Sequence, residues 1–126
     1  FQALGGELIG RLRAGERVIF FPEGTVSGAT ALLRFKPRLF AAALAAECAV
    51  QPVALAYVGG DGAALAPMGQ AESFGRNFLR FFGTRRTEVM LDFLSPIESA
   101  AGDPRTLALA AHERVAQSLA RLSHKD

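Results

Sequence analysis

The sequence predicts an α/β domain with a largely parallel sheet flanked by helices. Apolar, β-prone runs at 18–21, 50–57 and 87–94 have the composition of strands, and the segments around them repeat their apolar residues at helical spacing. Hydrophobic residues make up 50% of the 126 residues, which allows a packed core and argues against disorder. The length allows one domain or part of one.

Four helices are predicted, three longer ones and a short one at 72–86. The first ends near Gly15, after apolar residues that recur between positions 4 and 12. Pro37 suits the first turn of a second helix that is rich in alanine and leucine and runs toward Cys48. Asp103 and Pro104 are typical of an N-cap and a first-turn proline. The closing helix then has an apolar face made of Leu107, Ala111, Val115, Leu119 and Leu122.

Two further segments carry a clear polarity pattern. Residues 87–94 alternate, which predicts a strand with one face on the core; its two sides are Val89, Leu91 and Phe93, and Glu88, Met90 and Asp92. Residues 72–86 interleave phenylalanines on one helical face with arginines, namely Phe74, Phe78, Phe81 and Phe82 with Arg76, Arg80, Arg85 and Arg86. Such a segment can lie on a membrane, and the same pattern describes a helix packed on a core with its arginines in water.

The stretch 17–28 holds the candidate functional residues. Its apolar run ends at Pro22, which cannot donate a main-chain hydrogen bond to a strand ladder. Glu23 follows at the predicted strand end, where α/β sheets usually place their ligands. Gly24 allows a turn or a close approach of a ligand, and Thr25 and Ser27 add two hydroxyls. A solvated turn has the same composition, so the residues alone leave both interpretations open.

Three strings in the chain resemble blocks of the glycerolipid acyltransferases, the family of glycerol-3-phosphate, lysophosphatidate and lysolipid acyltransferases. FFPEGTVS at 20–27 resembles the third block of that family, and FKPRLFA at 35–41 resembles the Phe-Lys pair that opens a helix after it. VQPVALAY at 50–57 resembles the fourth block, an apolar strand around a proline-valine pair. The resemblance implies that residues 1–126 are a single domain fragment, the C-terminal part of the family's catalytic domain.

The resemblance also implies roles for particular side chains. The substrate-binding residues that it implies are Glu23, Gly24, Thr25, Ser27, Lys36 and Arg38. The implied wall of an acyl or acceptor pocket is Phe21, Pro22, Pro52 and Val53. Positive charge near the start of the second helix favours an anionic ligand there, and a solvated basic face is the alternative.

The catalytic base of this family is a histidine with an aspartate five positions later. The histidine takes the proton of the acceptor hydroxyl, and the aspartate orients the histidine. His112 is followed five positions later by Gln117, and His124 has only two residues after it, so neither fits. We therefore expect the His-x4-Asp string upstream, no catalytic residue in this fragment, and no acyl transfer by the fragment alone.

Val26 bears on the identity of the acceptor. Many family members have an arginine at this position, available to the phosphate of the acceptor, and an apolar residue weakens the case for 1-acylglycerol-3-phosphate. Relatives that acylate lysolipids with amino-acid head groups, such as lyso-ornithine lipid, resemble the chain around 25–27 and 35–36. The acceptor stays open between these two lysolipids, and the acyl donor between acyl-CoA and acyl-ACP.

The remaining expectations concern partners and location. A formal net charge of +2 suits an anionic membrane surface or phosphorylated ligands without singling them out. We expect association with the cytoplasmic face of the cell membrane, no metal or redox cofactor, and no nucleic-acid partner. The alternative class is a non-catalytic membrane-surface or protein-binding α/β module in which Glu23 only stabilises a turn. A nucleotide-binding domain has less support, because no glycine-rich fingerprint follows a predicted strand.

Overall fold

The computed structural model describes residues 2–24, 32–60, 83, 86–99 and 102–123. Within them the chain forms three helices and two strands, in the order α1 (Gln2–Arg13), α2 (Pro37–Ala45), β1 (Val53–Gly60), β2 (Thr87–Phe93) and α3 (Pro104–Ser123). This confirms the α/β class and the three longer predicted helices, while the short helix predicted at 72–86 lies almost entirely outside the described residues. The predicted strands at 50–57 and 87–94 are also present, although β1 begins only after Pro52.

The helix ends follow from their residues. Gly15 has a φ of +84°, a conformation that favours glycine, and it follows the last turn of α1. Pro37 is the first residue of α2. Asp103 caps α3, because its Oδ1 accepts hydrogen bonds from the Arg105 amide at 2.8 Å and the Thr106 amide at 2.9 Å. The Thr106 amide above all, with a smaller contribution from Arg105, lowers the pKa of the Asp103 carboxyl.

The sheet corrects the prediction of a largely parallel arrangement. In the described part of the chain, β1 and β2 form a two-stranded antiparallel sheet in which Val53 lies opposite Phe93. An antiparallel bridge between Val50 and Ile97 continues this pairing outside the strands. Sequence periodicity identifies a strand, but it does not encode the direction in which the chain returns to pair.

The two faces of this sheet have different neighbours. Ala54 is fully buried, and Asp92 on the same face accepts a 2.5 Å hydrogen bond from Ser118 Oγ on α3. The opposite face is apolar and exposed, and it comprises Val53, Leu55, Val89, Leu91 and Phe93. The face of β2 that meets α3 is therefore the one that carries Asp92, and the more apolar face points away from the helix.

The predicted buried strand at 18–21 is wrong. The structure assigns no strand there, and Ile19 and Phe21 are 89% and 78% exposed. The alternate residue Phe20 packs inward, against Phe40. A strand requires a neighbour that satisfies its main-chain groups, and no described segment forms a ladder with this run.

The core lies between α2 and α3. Its buried centre consists of Phe40 from α2 and Leu107, Ala108 and Ala111 from α3. Half-buried side chains from the segments before and after α2 pack around this centre, so the core fixes those segments as well. None of the helices in the described residues combines the length and apolar character needed to cross a bilayer.

Candidate functional site

Two phenylalanines anchor the segments that carry the candidate site. Phe20 meets Phe40 edge-on, with ring centroids 5.3 Å apart, and Phe35 stacks on Phe40 at 6.3 Å. Phe35 also contacts the ring of His112 on α3, at 5.0 Å. The residues just after Phe20 and just before α2 are thus held beside each other on the same core aromatic.

Main-chain and side-chain hydrogen bonds join these two segments. The Lys36 amide donates to the Pro22 carbonyl at 2.8 Å. Glu23 is half-buried, and its Oε2 accepts a hydrogen bond from the Leu33 amide at 2.8 Å. Its Oε1 accepts no hydrogen bond from a described residue. Glu23 therefore has one oxygen that joins the two segments and a second oxygen that can accept a hydrogen bond from a ligand.

Gly24 and Lys36 are in direct contact. Gly24 has a φ of +65°, and a Cβ built on it would lie 2.7 Å from Lys36 Nζ, 2.9 Å from Cδ and 3.0 Å from Cε. The lysine stem therefore lies across the glycine, in the space that a side chain would fill. Lys36 is also the N-cap residue of α2, and its ammonium makes no ion pair with any residue that the structure describes.

Arg38 lies at a second feature nearby. An open cleft of about 400 Å³ separates the first turns of α2 and α3, and it is lined by Pro37, Arg38, Ala41, Asp103, Pro104 and Arg105. Two arginines, one aspartate and three apolar residues give this cleft a mostly apolar surface that carries charges of both signs. The structure thus gathers Glu23, Gly24 and Lys36 in one place and puts Arg38 at the adjoining helix starts.

The other predicted site residues are more widely distributed. Phe21 is exposed and Pro22 half-buried, so only Pro22 is partly enclosed in the turn. Pro52 is buried and Val53 is 38% exposed at the start of β1, and none of the described hydrogen bonds links either to Glu23. Thr25, Ser27, Val26 and most of 74–86 lie outside the described residues. In the part that is described, no cluster of three or more His, Cys, Asp or Glu side chains could hold a metal.

Sequence reasoning did not identify Leu33 as part of the site. Its contribution is a backbone amide, so the identity of its side chain carries no signal. The contact between Gly24 and Lys36 was also missed, although both residues were predicted to bind substrate. It depends on how the chain returns after 25–31, which no local pattern reveals.

Comparison with known proteins supports an acyltransferase family. A family model described as Acyltransferase matches residues 3–56, which contain Glu23, Gly24 and Lys36. The chain is 37% identical over 123 residues to a lyso-ornithine lipid O-acyltransferase of Pseudomonas aeruginosa. Both matches support a glycerolipid acyltransferase family for this chain. A lyso-ornithine lipid O-acyltransferase of Brucella abortus is 46% identical to this chain over 66 residues.

The coverage of these matches differs between the two relatives. The Pseudomonas match covers 94% of this chain and 46% of the relative, and the Brucella match covers 47% and 25%. The chain therefore spans about half the length of the first relative and a quarter of the second. No solved structure matches the chain.

Proposed function

We propose that this chain is the C-terminal part of a lysolipid O-acyltransferase, with lyso-ornithine lipid as the favoured acceptor. The observation that carries the proposal is the cluster of Glu23, Gly24 and Lys36, held together within the family-matched residues. The 37% identity to a relative of that name, over nearly the whole chain, supports the choice of acceptor. Val26 supports it too, because no arginine is present there for a phosphate.

The proposed reaction transfers an acyl group from the sulfur atom of a thioester donor to a hydroxyl oxygen of the lysolipid. The lysolipid hydroxyl oxygen bonds to the acyl carbonyl carbon, and the thioester C–S bond of acyl-CoA or acyl-ACP breaks. The hydroxyl proton is taken up by a base, and the thiol of the donor is the leaving group. We place the His-x4-Asp base in a preceding part of the complete enzyme, which the relatives' greater length leaves room for.

In this proposal the chain supplies acceptor binding. Glu23 Oε2 holds the two segments together through the Leu33 amide, and Oε1 accepts a hydrogen bond from the acceptor. Lys36 contributes positive charge beside Gly24, while Arg38 adds charge at the cleft between α2 and α3. Thr25 and Ser27 complete the proposed acceptor site, and Phe21, Pro22, Pro52 and Val53 form its apolar walls.

The proposed partners are a lysolipid, an acyl-CoA or acyl carrier protein, and the cytoplasmic face of the cell membrane, with no metal or redox cofactor and no nucleic acid. A second candidate function is a binding module without catalysis. The hydrogen bond from the Leu33 amide to Glu23 favours this alternative, since it gives the carboxylate a structural task.

A comparison of the 126-residue chain with the complete enzyme tests where the base lies. Both are incubated with labelled acyl-CoA or acyl-ACP and with lyso-ornithine lipid. We expect transfer by the complete enzyme only. Turnover by the 126-residue chain above a heat-killed control would show that the base is not upstream.

A further inference from the structure

We propose that Gly24 is a positioning residue whose missing side chain fixes the Lys36 ammonium at the acceptor site, where it binds the anionic group of the head group. That group is a carboxylate or a phosphate, since a lysine ammonium is a compact charge that pairs with either. This inference rests on the proposed function and adds the chemical group that the site recognises.

The geometry shows what a side chain at Gly24 would displace. The three nearest atoms to a Cβ at this position all belong to Lys36, at 2.7, 2.9 and 3.0 Å. A carbon atom does not approach non-bonded atoms so closely, because the favourable separation of non-bonded carbon atoms is about 3.5–4.0 Å. The atoms in the way are the far end of a flexible side chain, so the lysine moves and the surrounding fold is kept. The predicted consequence is a displaced ammonium.

The Lys36 ammonium is also available to a ligand. The backbone of Lys36 is fixed by its amide hydrogen bond to Pro22 and by its place at the start of α2. Its side chain is exposed, and no described carboxylate pairs with the ammonium. Glu23, which precedes Gly24 in the sequence, has its Oε2 bonded to the Leu33 amide instead. A fixed backbone and an ammonium with no ion pair among the described residues together favour binding of an external anion.

Gly15 provides a matched control for the backbone. It has a φ of +84°, close to the +65° of Gly24, but a Cβ on Gly15 would meet no atom within 4 Å. Gly15→Ala and Gly24→Ala therefore impose a similar left-handed strain, and only Gly24→Ala displaces Lys36. Any difference in KM between the two variants therefore reports the effect of displacing Lys36.

The experiment uses the complete enzyme with Gly15→Ala, Gly24→Ala, Lys36→Met, Lys36→Ala and the double variant Gly24→Ala/Lys36→Ala. We expect Lys36→Met, Lys36→Ala and Gly24→Ala to raise the KM for lyso-ornithine lipid about tenfold to a hundredfold, the usual value of one charged hydrogen bond. The double variant should be no worse than Lys36→Ala, because Gly24 acts through the lysine. Gly15→Ala should leave the KM unchanged.

Substrate variants separate the possible anions. Wild type should lose affinity for a lyso-ornithine lipid whose carboxylate is methyl-esterified, while Lys36→Met should bind the ester and the free acid equally. If Lys36→Met instead impairs only lysophosphatidate, the bound group is a phosphate. A change in the KM of the acyl donor alone would overturn the assignment to the acceptor.

The outcomes for the positioning role are also distinct. Additive losses in the double variant, or equal losses in Gly15→Ala and Gly24→Ala, would show that Gly24 does not act through Lys36. Equilibrium binding of lyso-ornithine lipid to the same variants provides a readout without catalysis. If wild type transfers no acyl group, the proposed function fails, and the binding cycle still decides whether Gly24 positions Lys36.

Discussion

Glu23→Gln is the substitution that best separates the two tasks of this carboxylate. Oε2 accepts the Leu33 amide, and we propose that Oε1 accepts a hydrogen bond from the acceptor. Glutamine keeps one carbonyl oxygen, which can still face Leu33, and replaces the other oxygen with an NH₂ donor. We therefore expect folding to survive and acyl transfer to fall.

The magnitudes follow from the two hydrogen bonds. A hydrogen bond to a charged group contributes about 1.5–3 kcal/mol and a neutral one about 1 kcal/mol. Glu23→Gln should therefore lower the free energy of unfolding by about 1 kcal/mol, whereas Glu23→Ala leaves the Leu33 amide without its partner and should lower it by about 1.5–3 kcal/mol. Loss of the charged bond to the acceptor should lower kcat/KM about ten- to a hundredfold.

The assay measures acyl transfer to lyso-ornithine lipid and urea unfolding for the complete enzyme and its variants. Glu16→Gln is the matched control, because Glu16 is an exposed glutamate whose described partner is the surface residue Arg11. It should leave transfer unchanged. Wild-type activity of Glu23→Gln on every acceptor would refute the reasoning and leave Glu23 only the structural bond to Leu33.

Further predictions test the acceptor, the two ends of α3 and the membrane contact. Val26→Arg should shift preference toward lysophosphatidate, because arginine pairs with phosphate in a bidentate way; an unchanged ratio of the two lysolipids would contradict this. Ser118→Ala should lower the free energy of unfolding by about 1.5 kcal/mol in urea, through loss of the bond to Asp92, and an unchanged midpoint would contradict it. Asp103 has a lowered pKa, so its stabilising charge is fully present above the unfolded pKa of about 3.9 and is lost as pH falls through the lower folded value. The difference in Tm between wild type and Asp103→Asn should therefore shrink below about pH 4. A difference independent of pH would show that the charge of Asp103 does not stabilise the start of α3. Replacing the four arginines of 72–86 by glutamine should remove a preference for anionic vesicles, at up to about 1 kcal/mol per charge; these are Arg76, Arg80, Arg85 and Arg86. Unchanged co-sedimentation of the variant with anionic vesicles would favour the alternative of a helix packed on the core.

Local signals in the sequence predicted the helices and two strands correctly. Asp103, followed by a proline, specifies the start of α3 through its own side-chain oxygen, and Gly15 marks the end of α1 through its backbone freedom. Such features depend on a few neighbouring residues. They can therefore be predicted without knowledge of the tertiary structure.

Features that depend on distant partners were predicted less well. The run 18–21 has the composition of a buried strand, but composition does not supply the neighbouring strand that would pair with it. Alternation in β2 separated two faces correctly, yet Asp92 faces α3 because Ser118 provides a donor 26 residues away. The candidate site shows the same limit, since its residue types were read from a motif while the partners Leu33 and Lys36 depend on the return of the chain.

The product formed from lyso-ornithine lipid by the complete enzyme tests the central claim most directly. The enzyme is incubated with acyl-CoA or acyl-ACP, and the extracted lipids are analysed by mass spectrometry. A lysolipid acyltransferase should yield ornithine lipid with one added ester-linked acyl chain, in an amount that grows with time and enzyme. Lysolipid that binds the protein but is recovered unchanged with both donors would contradict the claim and support a non-catalytic binding module.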